Sequence, residues 1–120
     1  MIKIGISGSR TITDKELIFS TLDFYLSRFI KEGEELVIVH GNAKGVDFLA
    51  NDWAIQRGVK TEIYEPEYDK YPPKFAPIKR NQTIVDNSDY LIAITTGSSG
   101  TASTIKMAQK KGISIKIVTV

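Results

Sequence analysis

The sequence predicts an α/β fold, a parallel sheet with helices packed on both faces. Five short β-like runs alternate with four helical patterns in the order βαβαβαβαβ. Strand–helix alternation of this kind closes into a parallel sheet through right-handed crossovers. Three of the five runs are dense in Ile, Leu and Val, as strands covered on both faces are.

The first run is "IKIGI" (2–6), and the helix after it opens on "TDKE" (13–16). That tetrapeptide reads as a capping box, with Thr13 as cap and Glu16 reaching back. Ile18, Leu22, Tyr25, Leu26 and Phe29 then recur at spacings of three and four and form one apolar face. The second run is "ELVIVH" (35–40). In its helix, Val46, Leu49, Ala50, Trp53 and Ala54 mark the core side, and Gly58 ends the pattern. The third run is "VKTEIYE" (59–65), followed by a helix expected from about Pro77 to Asp86. The fourth is "DYLIAIT" (89–95), with a helix from about Gly100 to Lys111 that stops at Gly112. Lys106, Lys110 and Lys111 are placed to offset the negative end of that helix's dipole. The fifth run is "SIKIVTV" (114–120).

A chain of 120 residues suits one domain, here 1–120, and can bury a core without staples. With no Cys, a disulfide framework and a thiolate metal site are both excluded. "MIKIGIS" lacks the features of a signal peptide, and no apolar run reaches membrane-spanning length. The chain therefore reads as cytoplasmic, with no membrane partner. A net charge of +2 suits an anionic ligand but argues against nucleic acid as a partner. Nothing in the sequence calls for a metal or a cofactor. There is no Ser-His-Asp or H-E-x-x-H arrangement, no complete phosphate-binding P-loop and no complete G-x-G-x-x-G.

The unusual residues gather in one set of loops. The helix-to-strand loops "KEGE", "RGVK", "DNSD" and "KKGI" carry stop signals and surface charge. The strand-to-helix loops carry "SGSRTIT", "HGNAKGVD", a segment with all four prolines, "PEYDKYPPKFAP" (66–77), and "TGSSGT". In a parallel sheet these four loops share one edge, beyond the carboxyl ends of the strands, where open α/β sheets bind ligands. The proline-rich loop is long for its place, as lids and binding loops are.

The loop chemistry suits an anion. Gly97, Ser98, Ser99, Gly100 and Thr101 stand before the fourth helix. Glycine lets amides converge on an anion, and a helix start adds unpaired N–H groups. Gly8, Ser9 and Arg10 follow the first strand, while His40, Gly41, Lys44, Gly45 and Asp47 follow the second. Asp47 is placed to accept from ribose hydroxyls. Each feature also has a plainer reading. The Gly-rich loop alone could be a turn, Gly8 a turn glycine and Asp47 a helix-start acid. His40 could be hydrogen-bonded at the core's edge. Trp53 reads as core, and Arg80 and Asn81 alone read as solvated polar residues.

Taken together, "GSR" (8–10), "HGNAKGVDFLANDWA" (40–54), "KRNQTIVDNSDYLIAI" (79–94) and "GSSGTASTIKMAQKKGI" (97–113) resemble the SLOG superfamily. That group joins the DNA-processing protein A (Smf) family to the LOG phosphoribohydrolases, and the resemblance is nearest to its small stand-alone YspA-like proteins. It implies a Rossmann-like three-layer fold with a five-stranded parallel sheet in the order 3-2-1-4-5. It also implies a nucleotide or nucleotide-derived, ADP-ribose-like ligand at the strand carboxyl ends, its phosphate on "GSSGT". Arg80 and Asn81 join the site on this basis. Related proteins associate through helix faces, which brings a homo-oligomer into consideration.

The sequence departs from the LOG enzymes at one point. They carry P-G-G-x-G-T-x-x-E, in which the Glu helps cleave an N-glycosidic bond beside an Arg. This chain reads "TGSSGTAST", with Thr96 at the Pro position and Thr104 at the Glu position, while Arg80 resembles the partner Arg. A hydroxyl cannot replace a carboxylate in stabilising an oxocarbenium ion or activating water. The leading expectation is therefore a ligand-binding module that senses or sequesters a nucleotide, leaning away from an enzyme. The alternatives are a phosphoribohydrolase using Asp47 or the loop acids Glu67 or Asp69, and single-stranded DNA binding as in DNA-processing protein A.

Overall fold

The computed structural model describes residues 1–120. Its elements are β1 (Ile2–Gly8), α1 (Lys15–Lys31), β2 (Leu36–His40), α2 (Val46–Arg57), β3 (Lys60–Ile63), α3 (Ala76–Asp86), β4 (Tyr90–Thr95), α4 (Ser99–Lys111) and β5 (Ser114–Thr119). All five strands are parallel, in the order β3-β2-β1-β4-β5. This is the expected Rossmann-like arrangement. Ile4 of the central strand faces Ile38 on one side and Tyr90 on the other. The chain lays down β1, β2 and β3 outward, then returns to place β4 on the other flank of β1. The strand order reverses at β1/β4, where a crevice opens at the carboxyl ends.

Side-chain alternation sorts each strand's residues onto two faces. Ile4, Ile6, Ile38, Ile92 and Ile94 point to one face and pack with Ile18, Leu22 and Leu26 of α1 and Val46, Ala50, Trp53 and Ala54 of α2. Val37 and Val39 point to the other face and meet Ile84 of α3, and Leu91 meets Val85 and Ala108. All five residues of β2 are buried, while the edge strands β3 and β5 have none.

Two helix ends depart from expectation. Asp14 caps α1, its carboxylate accepting from the Leu17 amide at 3.1 Å, so Thr13 is not the cap. A full negative charge beside the positive helix end outcompetes a neutral hydroxyl one residue away. Lys111, expected to serve its own helix, reaches across to α3. Its Nζ donates to the carbonyls of Val85 (2.9 Å) and Asp86 (2.7 Å), which end α3 without a basic residue of their own. No helix is long and apolar enough to cross a membrane.

Candidate functional site

A cleft of about 290 Å³ lies at the β1/β4 crevice, walled by α3 and α4. The end of β1 and its loop contribute Ser7, Gly8 and Arg10, and the start of α2 contributes Asp47. Arg80 and Asn81 come from α3, Ser98 from the loop before α4, and Gly100, Thr101 and Thr104 from α4 itself.

A run of hydroxyls organises the α4 side. Ser9 is buried, and its Oγ accepts from the Thr96 amide at 2.9 Å and the Thr96 hydroxyl at 3.1 Å. Both Ser9 lone pairs are then used, so its proton goes to Ser98 Oγ, 3.0 Å away. Ser98 Oγ in turn donates to Thr101 Oγ1 at 3.0 Å. The Thr101 proton has no acceptor within the chain, and Thr101 lines the cleft. Ser98 is the N-cap of α4 by position, but its hydroxyl makes no capping bond. The first-turn amides of α4 are thus left without a side-chain acceptor. A Cβ at Gly100 would meet nothing within 4 Å, so this wall is open to the cleft.

On the α3 side, Arg80 is only 8% exposed, although the sequence alone reads it as solvated. Its Nη1 donates to the Gly41 carbonyl at 2.6 Å and its Nε to Asn81 Oδ1 at 2.8 Å. A Cβ at Gly41 would stand 2.7 Å from Arg80 Cζ, so glycine there makes room for the guanidinium. Burial lowers the Arg80 pKa while the Asp47 carboxylate raises it. A guanidinium stays charged through such shifts. Arg80 Nη2 and Asn81 Nδ2 have no acceptor in the chain.

Asp47 is also buried. Its Oδ2 accepts from the amides of Gly41 (3.1 Å) and Ala43 (3.2 Å), which leaves Oδ1 without a partner. Burial pushes its carboxyl pKa up, against the pull of the Ala43 and Gly41 amides and of the Arg80 guanidinium. His40 is fully buried with both nitrogens engaged. Its Nδ1 accepts from the Asn42 amide at 3.0 Å, so Nε2 carries the proton and donates to Asn51 Oδ1 at 2.9 Å.

The cleft thus brings together Gly8, Arg10, Asp47, Arg80, Asn81, Ser98, Gly100 and Thr101. Ser9, His40, Gly41 and Gly45 stand behind this wall as supports. A Cβ at Gly45, where φ is +82°, would lie 2.5 Å from the Ser9 carbonyl oxygen, so this glycine serves loop-on-loop packing. Lys44, Gly97 and Ser99 are exposed, outside the wall. Thr104 lines the cleft and donates to the Gly100 carbonyl at 3.1 Å. Sequence reasoning missed Ile6, Ser7, Ala43, Pro77 and Ile84. Pro77, Arg80, Asn81 and Ile84 follow i, i+3, i+4, i+7 spacing, a one-face signal that the apolar-only pattern overlooks. Ser7 lies on β1, which runs two residues beyond the expected end.

Residues 2–71, more than half of the chain, match the family described as the YspA, cpYpsA-related SLOG family (YAcAr). The Gene 61 protein of Mycobacterium phage D29 is 30% identical over 121 residues, covering 96% of this chain and 94% of its own length. The X-ray structure of TM1055, a structural genomics target, shares the fold with a TM-score of 0.73 at 19% identity, covering 96% of this chain and 72% of that one.

Proposed function

The chain belongs to this YspA-related SLOG family, and from that premise we propose that it binds a nucleotide or nucleotide-derived, ADP-ribose-like ligand in the α3–α4 cleft. Residues 1–120 would act as one binding domain, a cytoplasmic sensor or sequestering module. The observation that carries the reading is the imbalance of hydrogen-bonding groups in the cleft. Unspent donors come from Arg10, Arg80 Nη2, Asn81 Nδ2, the Thr101 hydroxyl and the first-turn amides of α4, whereas Asp47 is the only carboxylate on the wall. A donor-rich wall at a helix N-terminus suits a phosphate, and a lone carboxylate suits a sugar hydroxyl. Mass spectrometry of small molecules released from natively purified protein tests this, followed by calorimetry with AMP and ADP-ribose. A phosphorylated nucleoside derivative is expected. Absence of any such ligand, together with no heat from either compound, would overturn the proposal.

One observation favours a second reading, hydrolysis of an N-glycosidic bond. Asp47 is buried, its pKa is raised and Oδ1 is unpaired, which are properties of a general acid. Against it, Thr104 occupies the position of the LOG glutamate, with its proton committed to Gly100. Chromatography of AMP incubated with the protein should show no free base. Release that disappears in Asp47→Asn would favour the hydrolase.

A further inference from the structure

We propose that a second cavity, beside the cleft and sharing Arg80 with it, receives the amino-bearing heteroaromatic ring of the same ligand. The inference rests on the nucleotide reading above and specifies which kind of base is bound.

The second cavity measures about 170 Å³ and is bounded by Tyr64, Glu65, Glu67, Tyr71, Lys79 and Arg80. Arg80 lines both cavities and is the one residue they share. The two spaces differ in chemistry. The cleft has no aromatic side chain, and its apolar lining is aliphatic. The second cavity has two tyrosine rings, flat partners of the kind a base stacks on. Lys79 Nζ lies 5.8 Å from the Tyr71 ring centroid and braces that ring.

The acceptors are distributed in the opposite sense. Glu65 Oε1 accepts from Asn42 Nδ2 at 2.8 Å, and Glu67 Oε2 pairs with Lys70 at 3.1 Å. One oxygen of each carboxylate remains without a partner in the chain. Free carboxylate oxygens repel phosphate and accept hydrogen bonds from ring amines. Asn42 reinforces this arrangement, as the only non-glycine residue with positive φ, at +55°. Its amide is held by His40 and its side chain holds Glu65. A sparsely populated backbone conformation is thus spent on placing one carboxylate at this cavity. The ligand then lies along the carboxyl edge of the sheet, with its phosphate at α4, its ribose at Asp47 and its ring beyond Arg80.

Calorimetry with ribose 5-phosphate, AMP and IMP on folded variants tests the inference, because IMP replaces the ring amine of AMP by an oxo group. Wild-type protein should bind AMP about tenfold more tightly than ribose 5-phosphate, and more tightly than IMP. Tyr71→Ala should reduce AMP to the ribose 5-phosphate level without changing ribose 5-phosphate, and Tyr71→Phe should retain AMP affinity. Glu65→Ala should remove the preference for AMP over IMP, an independent arm if Tyr71→Ala does not fold. The inference fails if AMP gains nothing over ribose 5-phosphate while both bind, an outcome that leaves the phosphate reading standing. It also fails if both Tyr71→Ala and Glu65→Ala leave the AMP and IMP affinities unchanged. If neither compound binds wild-type protein, the nucleotide reading fails and the inference with it.

Discussion

The two faces of the sheet are built from alternate residues of the same strands, yet they hold different interiors. Beneath α1 and α2 lies one apolar cluster of 14 buried residues, with Trp53 its largest fully buried side chain. Beneath α3 and α4 the buried hydrophobics form only two clusters of three. The helices on that face also bury Arg80, Thr101 and Thr104. Apolar burial supplies most of the driving force for folding, so the first face carries the stability. The second face gives up packing to keep buried polar side chains along the cleft. A domain this small can hold a polar cleft on one face because the other is densely filled.

Substitutions can break this division, and the largest effect is expected in the dense face. Trp53→Ala removes a fully buried ring and the donor to Asp23 Oδ1 at 2.9 Å. It should cost about 3–5 kcal/mol of stability, read in urea melts, while the folded fraction keeps its ligand affinity. Gly100→Val should do the reverse. Its side chain enters open space in the cleft, so melting should move by less than about 1 kcal/mol. AMP affinity should fall by about tenfold or more as phosphate contacts worth about 1.5–3 kcal/mol are lost. Undiminished affinity in folded Gly100→Val would remove α4 from the site. Asp47→Asn should weaken ribose-containing ligands by about tenfold and leave inorganic phosphate unaffected. Equal weakening of both would make Asp47 a support for the helix start alone.

The smallest effects concern pH, and they have opposite signs on two acids. Burial raises the Asp47 pKa in the folded protein. The folded state then holds its proton longer than the unfolded chain, and stability falls as pH rises from about 4 through the raised value. Asp47→Asn should flatten that fall. Asp23, paired with Arg57 and Trp53 between α1 and α2, has a lowered pKa. Its contribution is complete above about pH 4 and is lost as pH drops through the lowered value. Asp23→Asn should flatten the acid limb alone. Urea melts across pH 3–7 would separate the two, and matching profiles in both variants would undo the assignment.

The fold was legible because its signals are local. Apolar periodicity marked α1 and α2, Pro77 marked the start of α3, Gly58 and Gly112 stopped α2 and α4 in the left-handed conformation, and the strand-like runs kept their order. The site was legible only as a set of loops. That Arg80 would be buried depends on the missing side chain of Gly41, 39 residues earlier in the chain. No local pattern reveals such a contact. For the same reason, Ser9, Gly45 and His40 cannot be sorted from Arg10 and Gly100 by sequence, since supports and lining residues share the same loops and chemistry. Lys111 likewise has the same position and charge whether it serves its own helix end or a neighbour's.

The reach of Lys111 has a mechanical consequence. It fastens the last turn of α4 to the last turn of α3 at the edge of the sheet opposite the cleft. The first turns of both helices border the mouth, where Arg80 is tied to the Gly41 carbonyl and Ser98 to Ser9. The two walls of the cleft are therefore clamped at both ends, and the Lys111 ammonium sets their spacing at the end remote from the ligand. Lys111→Met should loosen this clamp, seen as faster amide exchange in the last turns of α3 and α4, with the residues lining the cleft untouched.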